Sequence, residues 1–240
     1  MIKTIVFDLD GVLIESKEIH YKALNDALPM QYRISYEEHL ATYDGLPTRR
    51  KLNLLSANKG LPLDLFDEIA EKKAQSTVNV LFDTIKPRRE FTRIFKTLHN
   101  AGYKIAIASN AVRSTVDTAI ECLELKKYID LIYSNQDVKK PKPHFEMYFK
   151  IMLELDSKPS ETLILEDSHI GRQSVLDAGC HLLPVLDSYD ISLEKIEMKL
   201  TDLNKTVSVK IPWRNNKMNV LIPMAGAGSR FAEAGYTFPK

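Results

Sequence analysis

The sequence predicts an α/β fold: a parallel sheet with helices on both faces and a helical insertion near its start. Three observations lead there. Short apolar runs rich in β-branched residues recur between residues 2 and 185, separated by stretches with helical spacing. That alternation is how parallel sheets are written in sequence. One long interval, about residues 15–84, breaks the alternation and reads as helix throughout. Finally, the apolar runs end in acidic, hydroxyl or basic residues, as strands do when they deliver side chains to one sheet edge.

The bulk properties set the frame. The chain has 240 residues, 44% hydrophobic and 27% charged, which suits one large domain or a domain with a smaller insertion. Lys plus Arg is 33 and Asp plus Glu is 32, a net charge of +1. No nucleic-acid or membrane surface is expected from that balance. Two isolated cysteines, Cys122 and Cys180, suit neither a disulfide framework nor a zinc cluster and fit a reducing setting. An acid at position 8 leaves no room for the core of a signal peptide. No apolar run approaches the roughly 18 residues of a membrane span. A soluble, cytoplasmic protein is expected.

Taken in order, residues 2–7 (IKTIVF) read as a buried strand ending at Asp8-Leu9-Asp10-Gly11. The insertion reads as helices near 17–28, 35–41, 48–58 and 64–80, punctuated by Pro29, Gly45-Leu46-Pro47 and Gly60-Leu61-Pro62. About 70 residues between two strands is too long for a simple crossover, so the block is expected to be a cap at the functional edge. Further strands are expected at Lys104–Ala108, Leu131–Tyr133, Thr162–Leu165 and His181–Val185. Helices are expected at Arg88–Asn100, Arg113–Leu123, Phe145–Leu155 and Ile170–Ala178. Residues 187–206 are polar enough to predict one solvated helix, followed by a linker with Pro212 and Trp213. The expected organisation is a core of 1–14 and 85–188, a cap of 15–84, a helix and linker of 189–217, and a further segment from 218.

The chemistry gathers at strand ends. Alternation puts Asp8 and Asp10 on one side and Leu9 on the other. Two converging acids can hold a hard cation, and Gly11 lets the backbone turn close to it. Ser109-Asn110 follows the second strand near a helix start, where backbone N–H groups suit an anion. The tract VKKPKPHF after the third strand offers Lys140 and Lys142, with Lys139 and Lys140 also readable as a solvated basic loop. Glu166-Asp167-Ser168 follows the fourth strand. Each signal alone is ordinary; four strands each ending in a group useful to a metal and a phosphate are not.

DLDGVL, SN, KP and EDSHIG, in that order after successive strands, resemble the four motifs of the haloacid dehalogenase superfamily. The helical block resembles the cap of its β-phosphoglucomutase-like branch. The resemblance covers about residues 1–186 and implies a Rossmann-like core. It favours Lys142 over Lys140, because Phe145-Glu146-Met147-Tyr148 then falls in the family register, although Phe and Glu replace the usual Pro and Asp. It implies that Asp8 is a nucleophile forming an aspartyl phosphate and that Asp10 is the general acid and base. It implies Mg²⁺ held by Asp8, Asp167 and the Asp10 carbonyl, with Glu166 ligating directly or through water. Ser109, the Asn110 amide and Lys142 would hold phosphate oxygens. Asp10 further sets the chain with phosphatases and phosphomutases rather than dehalogenases. His20 lies where relatives place a histidine near the cap hinge, though an exposed helix face is an equal reading. Asp44, Gly45, Thr48 and Arg49 lie in the cap loop. There Arg49 or Arg50 would bind a second anionic group or simply open a solvated helix.

Residues 218–240 resemble the start of a sugar-phosphate nucleotidyltransferase. An apolar run is followed by Gly226, Gly228 and Arg230, then by Pro239-Lys240 nine residues after the arginine. The glycines would let backbone N–H groups approach a triphosphate. The expectation is a phosphatase acting on a small sugar or polyol phosphate ester, covalently linked to a nucleotidyltransferase domain in a longer chain. A phosphomutase and a catalytically silent regulatory module are the alternatives.

Overall fold

The computed structural model describes residues 1–204. Five strands form one parallel sheet: β1 (Thr4–Phe7), β2 (Lys104–Ala108), β3 (Leu131–Tyr133), β4 (Thr162–Glu166) and β5 (His181–Pro184). Their order is β3-β2-β1-β4-β5. The chain builds outward from β1 to β3, then returns to the other side of β1 for β4 and β5. The direction therefore reverses between β1 and β4, and ligands bind in open α/β sheets at the carboxyl ends beside such a reversal. Phe7 stands level with Ile107 and Leu165. Residues 8, 108 and 166 consequently emerge together at that edge.

Between β1 and β2 the described residues are helical. They form α1 (Lys17–Ala27), α2 (Tyr36–Glu38, continuing as a π-helical turn over His39–Tyr43), α3 (Thr48–Lys59) and α4 (Phe66–Thr84). Leu24, Leu52, Leu55, Phe66 and Ile69 bury one another in a cluster belonging to this insertion. The last helix ties it to the sheet. Phe66, Ile69, Lys73, Thr77 and Leu81 fall on one face at helical spacing, and Leu81 already belongs to the sheet's core.

The remaining helices are α5 (Arg89–Asn100), α6 (Arg113–Cys122), α7 (Glu146–Glu154), α8 (His169–Asp177) and α9 (Leu193–Asn204). The two-residue period of a strand sorts the core. Ile5, Phe7, Ile105, Ile107, Leu163 and Leu165 face α5, α6 and α9. Val6, Ala106, Ala108 and Ile164 face α7 and α8. Helix α5 shows why it forms: Phe91, Ile94, Phe95 and Leu98 are a buried stripe, and the Phe95 ring stacks on Phe7 at 4.6 Å. Each such side chain contributes about 1.5–3 kcal/mol relative to exposure.

The final helix corrects an expectation. The expected helix is present as α9 (Leu193–Asn204), but it is not solvated on every face. α9 buries Leu193, Ile196 and Leu200 against the sheet. Its apolar positions recur at i, i+3 and i+7 within LEKIEMKL, and the intervening charges all face outward, which masks the stripe in composition. No described helix is long and apolar enough to cross a membrane.

Candidate active site

Asp8 follows β1 directly, its backbone N–H donating to the Leu165 carbonyl at 3.1 Å. The residue is 6% exposed. Lys142 reaches it from the loop after β3, with Nζ donating to Asp8 Oδ1 at 2.9 Å, Glu166 Oε2 at 2.8 Å and the Ala108 carbonyl at 2.9 Å. Burial would discharge this lysine, but the charges of Asp8 and Glu166 outweigh it and hold the ammonium well above its usual pKa. Lys139 and Lys140 are exposed, and their backbone N–H groups donate to Glu146. The KKPKP tract thus places Lys142, and not Lys140, in the site.

Glu166 is fully buried at the end of β4. Besides Lys142 it accepts from the Tyr148 hydroxyl at 3.1 Å and from the Ser168 hydroxyl at 2.9 Å. Ser168 Oγ also caps α8 by accepting from the Gly171 N–H at 3.0 Å. Asp8, Glu166 and Asp167 each offer an oxygen, all within 4.8 Å of one another. This crowding has an electrostatic cost. Burial, then Glu166, pushes the Asp167 carboxyl up to about 7. Burial and Glu166 likewise raise Asp8 well above the usual carboxylate range, against the pull of Lys142. One lysine does not offset three acids. The donor set, all carboxylate oxygen, fits a hard divalent cation such as Mg²⁺. Gly11 serves the same corner: its φ is +75°, and an added Cβ would lie 2.1 Å from Asp167 Oδ2.

Asp10 points toward the insertion. Oδ1 accepts from the Ser16 hydroxyl and lies 2.8 Å from His20 Nε2, while the Ser109 hydroxyl approaches Oδ2 at 3.5 Å. Burial would raise the Asp10 carboxyl, but the charge and hydrogen bond of His20, with the bond from Ser16, bring it below the usual range. Burial, with Lys73, lowers His20 despite the attraction of Asp10. His20 Nε2 and the Asp10 carboxylate thus form a close, partly buried pair. His20 is therefore a partner of Asp10 rather than a residue on a free helix face.

Ser109 is fully buried behind Asp10, and its Oγ accepts from the Ala111 N–H at 2.9 Å. The Asn110 side chain is a clamp. Nδ2 donates to the carbonyls of Gly45 at 3.2 Å and Lys142 at 3.1 Å, and Oδ1 accepts from the Lys142 N–H at 3.0 Å. It ties the lysine loop and the insertion's loop before α3 to the end of β2.

Within the insertion, Thr48 and Asp44 line the cleft above Asp8. Arg49 does not. Its guanidinium pairs with Asp67 at 2.6 Å in solvent and lies over the Phe66 ring. Arg50 is exposed. The lysines of the insertion that line the cleft are instead Lys17, Lys51 and Lys73. Helix phase explains the exchange: position 51 shares a face with Thr48, whereas 49 and 50 rotate away. Lys73 sits within the buried stripe of α4, between Ile69 and Thr77. A lysine on an apolar stripe was the available signal, and sequence reasoning passed over it, as it did Ser16. Gly226, Gly228, Arg230 and Lys240 lie outside the described residues.

Comparison with known proteins agrees with this geometry. Residues 5–185 match the family model described as haloacid dehalogenase-like hydrolase. A pyrophosphatase PpaX of Bacillus cereus is 27% identical over 179 residues, covering 70% of this chain and 76% of that protein. Among solved structures, CbbY from Rhodobacter sphaeroides in complex with phosphate superposes with a TM-score of 0.71 at 22% identity, covering 77% of this chain and 86% of that one. A β-phosphoglucomutase from Clostridium difficile gives 0.68 at 19% identity, covering 84% and 98%. At those identities the structures speak for the fold alone. The matched family model spans most of the sheet and all the strand-end residues described above, and the chain belongs to the haloacid dehalogenase-like hydrolases.

Proposed function

We propose that this enzyme is a Mg²⁺-dependent phosphatase that hydrolyses a small sugar or polyol phosphate monoester through an aspartyl phosphate. The observation that carries the reading is Lys142 Nζ bridging Asp8 and Glu166 beside Asp167, at the carboxyl ends of β1 and β4. Asp8 Oδ attacks phosphorus, and the bond from phosphorus to the ester oxygen breaks. Asp10, having taken up a proton as the phosphate dianion approaches, gives it to the leaving alkoxide. Asp10 then takes a proton from water, which attacks phosphorus, breaks the acyl phosphate bond and releases inorganic phosphate. Ser109, the Asn110 amide and Lys142 hold the phosphoryl oxygens. Asp8, Asp167 and the Asp10 carbonyl would hold Mg²⁺, with Glu166 direct or through water, and the ion would offset the charge of nucleophile and phosphate.

In this reading residues 15–84 are a cap over a core of 1–14 and 85–188, and His20 and Thr48 act at the hinge and the cap face. A reducing, cytoplasmic location agrees with Cys122 and Cys180 both being free thiols. Residues 218–240 would open a nucleotidyltransferase domain carrying Gly226, Gly228, Arg230 and Lys240 at its nucleotide loop. Nucleotide binding by a longer chain is the test of that part.

A phosphomutase is the second reading, since the same groups can return the phosphoryl group to a sugar, and a solved neighbour bears such a name. The named pyrophosphatase relatives add pyrophosphate to the substrates worth assaying. The deciding experiment measures inorganic phosphate release from sugar phosphates, polyol phosphates and pyrophosphate, with Mg²⁺ and no bisphosphate activator. Release is expected from wild type and none from folded Asp8→Asn, whose amide cannot form the acyl phosphate. Undiminished release by Asp8→Asn would remove the nucleophile. A mutase would need the activator. A silent regulatory module would release nothing from any of them.

A further inference from the structure

Helix α7 is apolar on two faces. Met147, Tyr148, Ile151 and Met152 are buried against the sheet. On the outer side Phe145, Phe149 and Leu153 are 39%, 50% and 66% exposed. They recur every four residues and so form one stripe. Among the described residues no other helix exposes three large apolar side chains on one face. The His144 ring stacks on Phe145 at 4.5 Å, and Phe145 meets Phe149 edge to face at 6.5 Å. The stripe offers on the order of 300 Å² of apolar surface, the scale of the largest patch on a typical monomer. It also stands where a second molecule can reach it, because α7 packs on β2 and β3 and β3 is an edge strand.

The charges beside the stripe decide what kind of molecule fits. Glu146 and Lys150 flank it, with Oε1 and Nζ 3.6 Å apart. At the start of α7 lie exposed Lys139 and Lys140, whose backbone N–H groups donate to Glu146. At its end lie exposed Glu154 and Asp156. We propose that this face of α7 is a dimer interface, on which two copies of the chain pair antiparallel about a two-fold axis. Such an interface must be complementary to itself. An axis level with position 148 meets that condition. Each Glu146 then comes level with the partner's Lys150, and a two-fold keeps both on the same flank. Phe149 falls within about 3 Å, along the helix, of the partner's Phe149, and Phe145 within about 3 Å of the partner's Leu153. The basic start of each helix meets the acidic end of the other. A partner of another kind would require no such match of a surface to its own reverse. Stripe and charged rim together reach only the lower end of specific interfaces. The dimer is therefore reversible, with dissociation in the micromolar range.

The test is sedimentation velocity of the whole chain from about 1 µM to about 1 mM. The average mass of wild type is expected to rise from one chain to two. Phe149→Glu, in the middle of the stripe, should raise the dissociation constant about tenfold or more. Lys150→Glu sets a glutamate against the partner's Glu146 on both sides and should weaken the dimer likewise. Adding Glu146→Lys to Lys150→Glu reverses both pairs together and should bring the dimer back to within about threefold of wild type. A wild type that stays monomeric throughout overturns the interface and leaves the stripe to a partner of another kind. Association that both single variants leave unchanged also overturns it, because it then runs through another surface. Growth beyond two chains, or a double variant no better than Lys150→Glu alone, overturns the two-fold pairing. Each variant is first checked for a cooperative thermal melt. Should Phe149→Glu fail to fold, Lys150→Glu and its charge exchange decide.

Discussion

Lys142 donates to Asp8, Glu166 and the Ala108 carbonyl from a site 3% exposed. Removing its head would strand two buried carboxylates, and breaking a buried pair from one side costs about 3–5 kcal/mol. Lys142→Ala is therefore expected to lose stability of that order in chemical melts at neutral pH, together with all phosphate release. Lys140→Ala, at an exposed position, should stay within about 0.5 kcal/mol of wild type. Equal losses, or the reverse order, would overturn the assignment of the third motif to Lys142. Lys51 works in the opposite sense. Burial and Lys73 lower its pKa from 10.5 to about 7, against Asp44 and Asp10, with His20 and His39 also close enough to feel its charge. Between those values the unfolded chain binds the extra proton. Stability should therefore rise with pH across that window, by roughly 1.4 kcal/mol per unit. Lys51→Met removes a cost that is present at low pH and fades as pH approaches the unfolded value. It should be more stable than wild type near pH 7 and lose that lead by about pH 10. Parallel stability curves for the two proteins would contradict the assignment.

At the scale of elements, the start of α8 controls Glu166. An added Cβ on Gly171 would lie 2.0 Å from Glu166 Cδ. Alanine would strengthen the helix by about 1 kcal/mol, but it would strike a carboxylate pinned by Lys142, Tyr148 and Ser168. Overpacking of this kind costs about 1–3 kcal/mol. Gly171→Ala should therefore be net destabilised in thermal melts and slower in turnover, as Glu166 is pushed away from Lys142. A variant as stable and as active as wild type would show that Glu166 can move without consequence. Most elements were legible, because period and punctuation are local: β2 and β3 match their expected ends, and α1, α3 and α5 lie within two residues of theirs. Two others were legible only as helices. α9 hides a packed stripe among charges, and the α2 helix runs on as a π-helical turn through His39–Tyr43, whose extra residue per turn leaves no mark in composition.

For the whole molecule, a cation that binds the folded acid cluster and not the unfolded chain must stabilise the fold. At a hundredfold excess over its Kd the gain is about 2.7 kcal/mol. Mg²⁺ should raise the melting temperature and be needed for turnover, excess EDTA should abolish activity, and Asp167→Asn should shrink the Mg²⁺-induced shift. A melt indifferent to Mg²⁺, with full activity in EDTA, would refute the metal site. Sequence by itself determined the α/β class and the strand ends that carry Asp8, Asp10, Ser109 and Glu166-Asp167, because strand alternation and turn chemistry act over a few residues. Only the tertiary structure decided which residues meet there. Lys142 rather than Lys140 reaches Asp8, His20 turns to Asp10, and Arg49 leaves the cleft to Lys51 and Lys73. These choices depend on how the insertion's helices are rotated above the sheet. Packing among residues tens of positions apart sets that rotation.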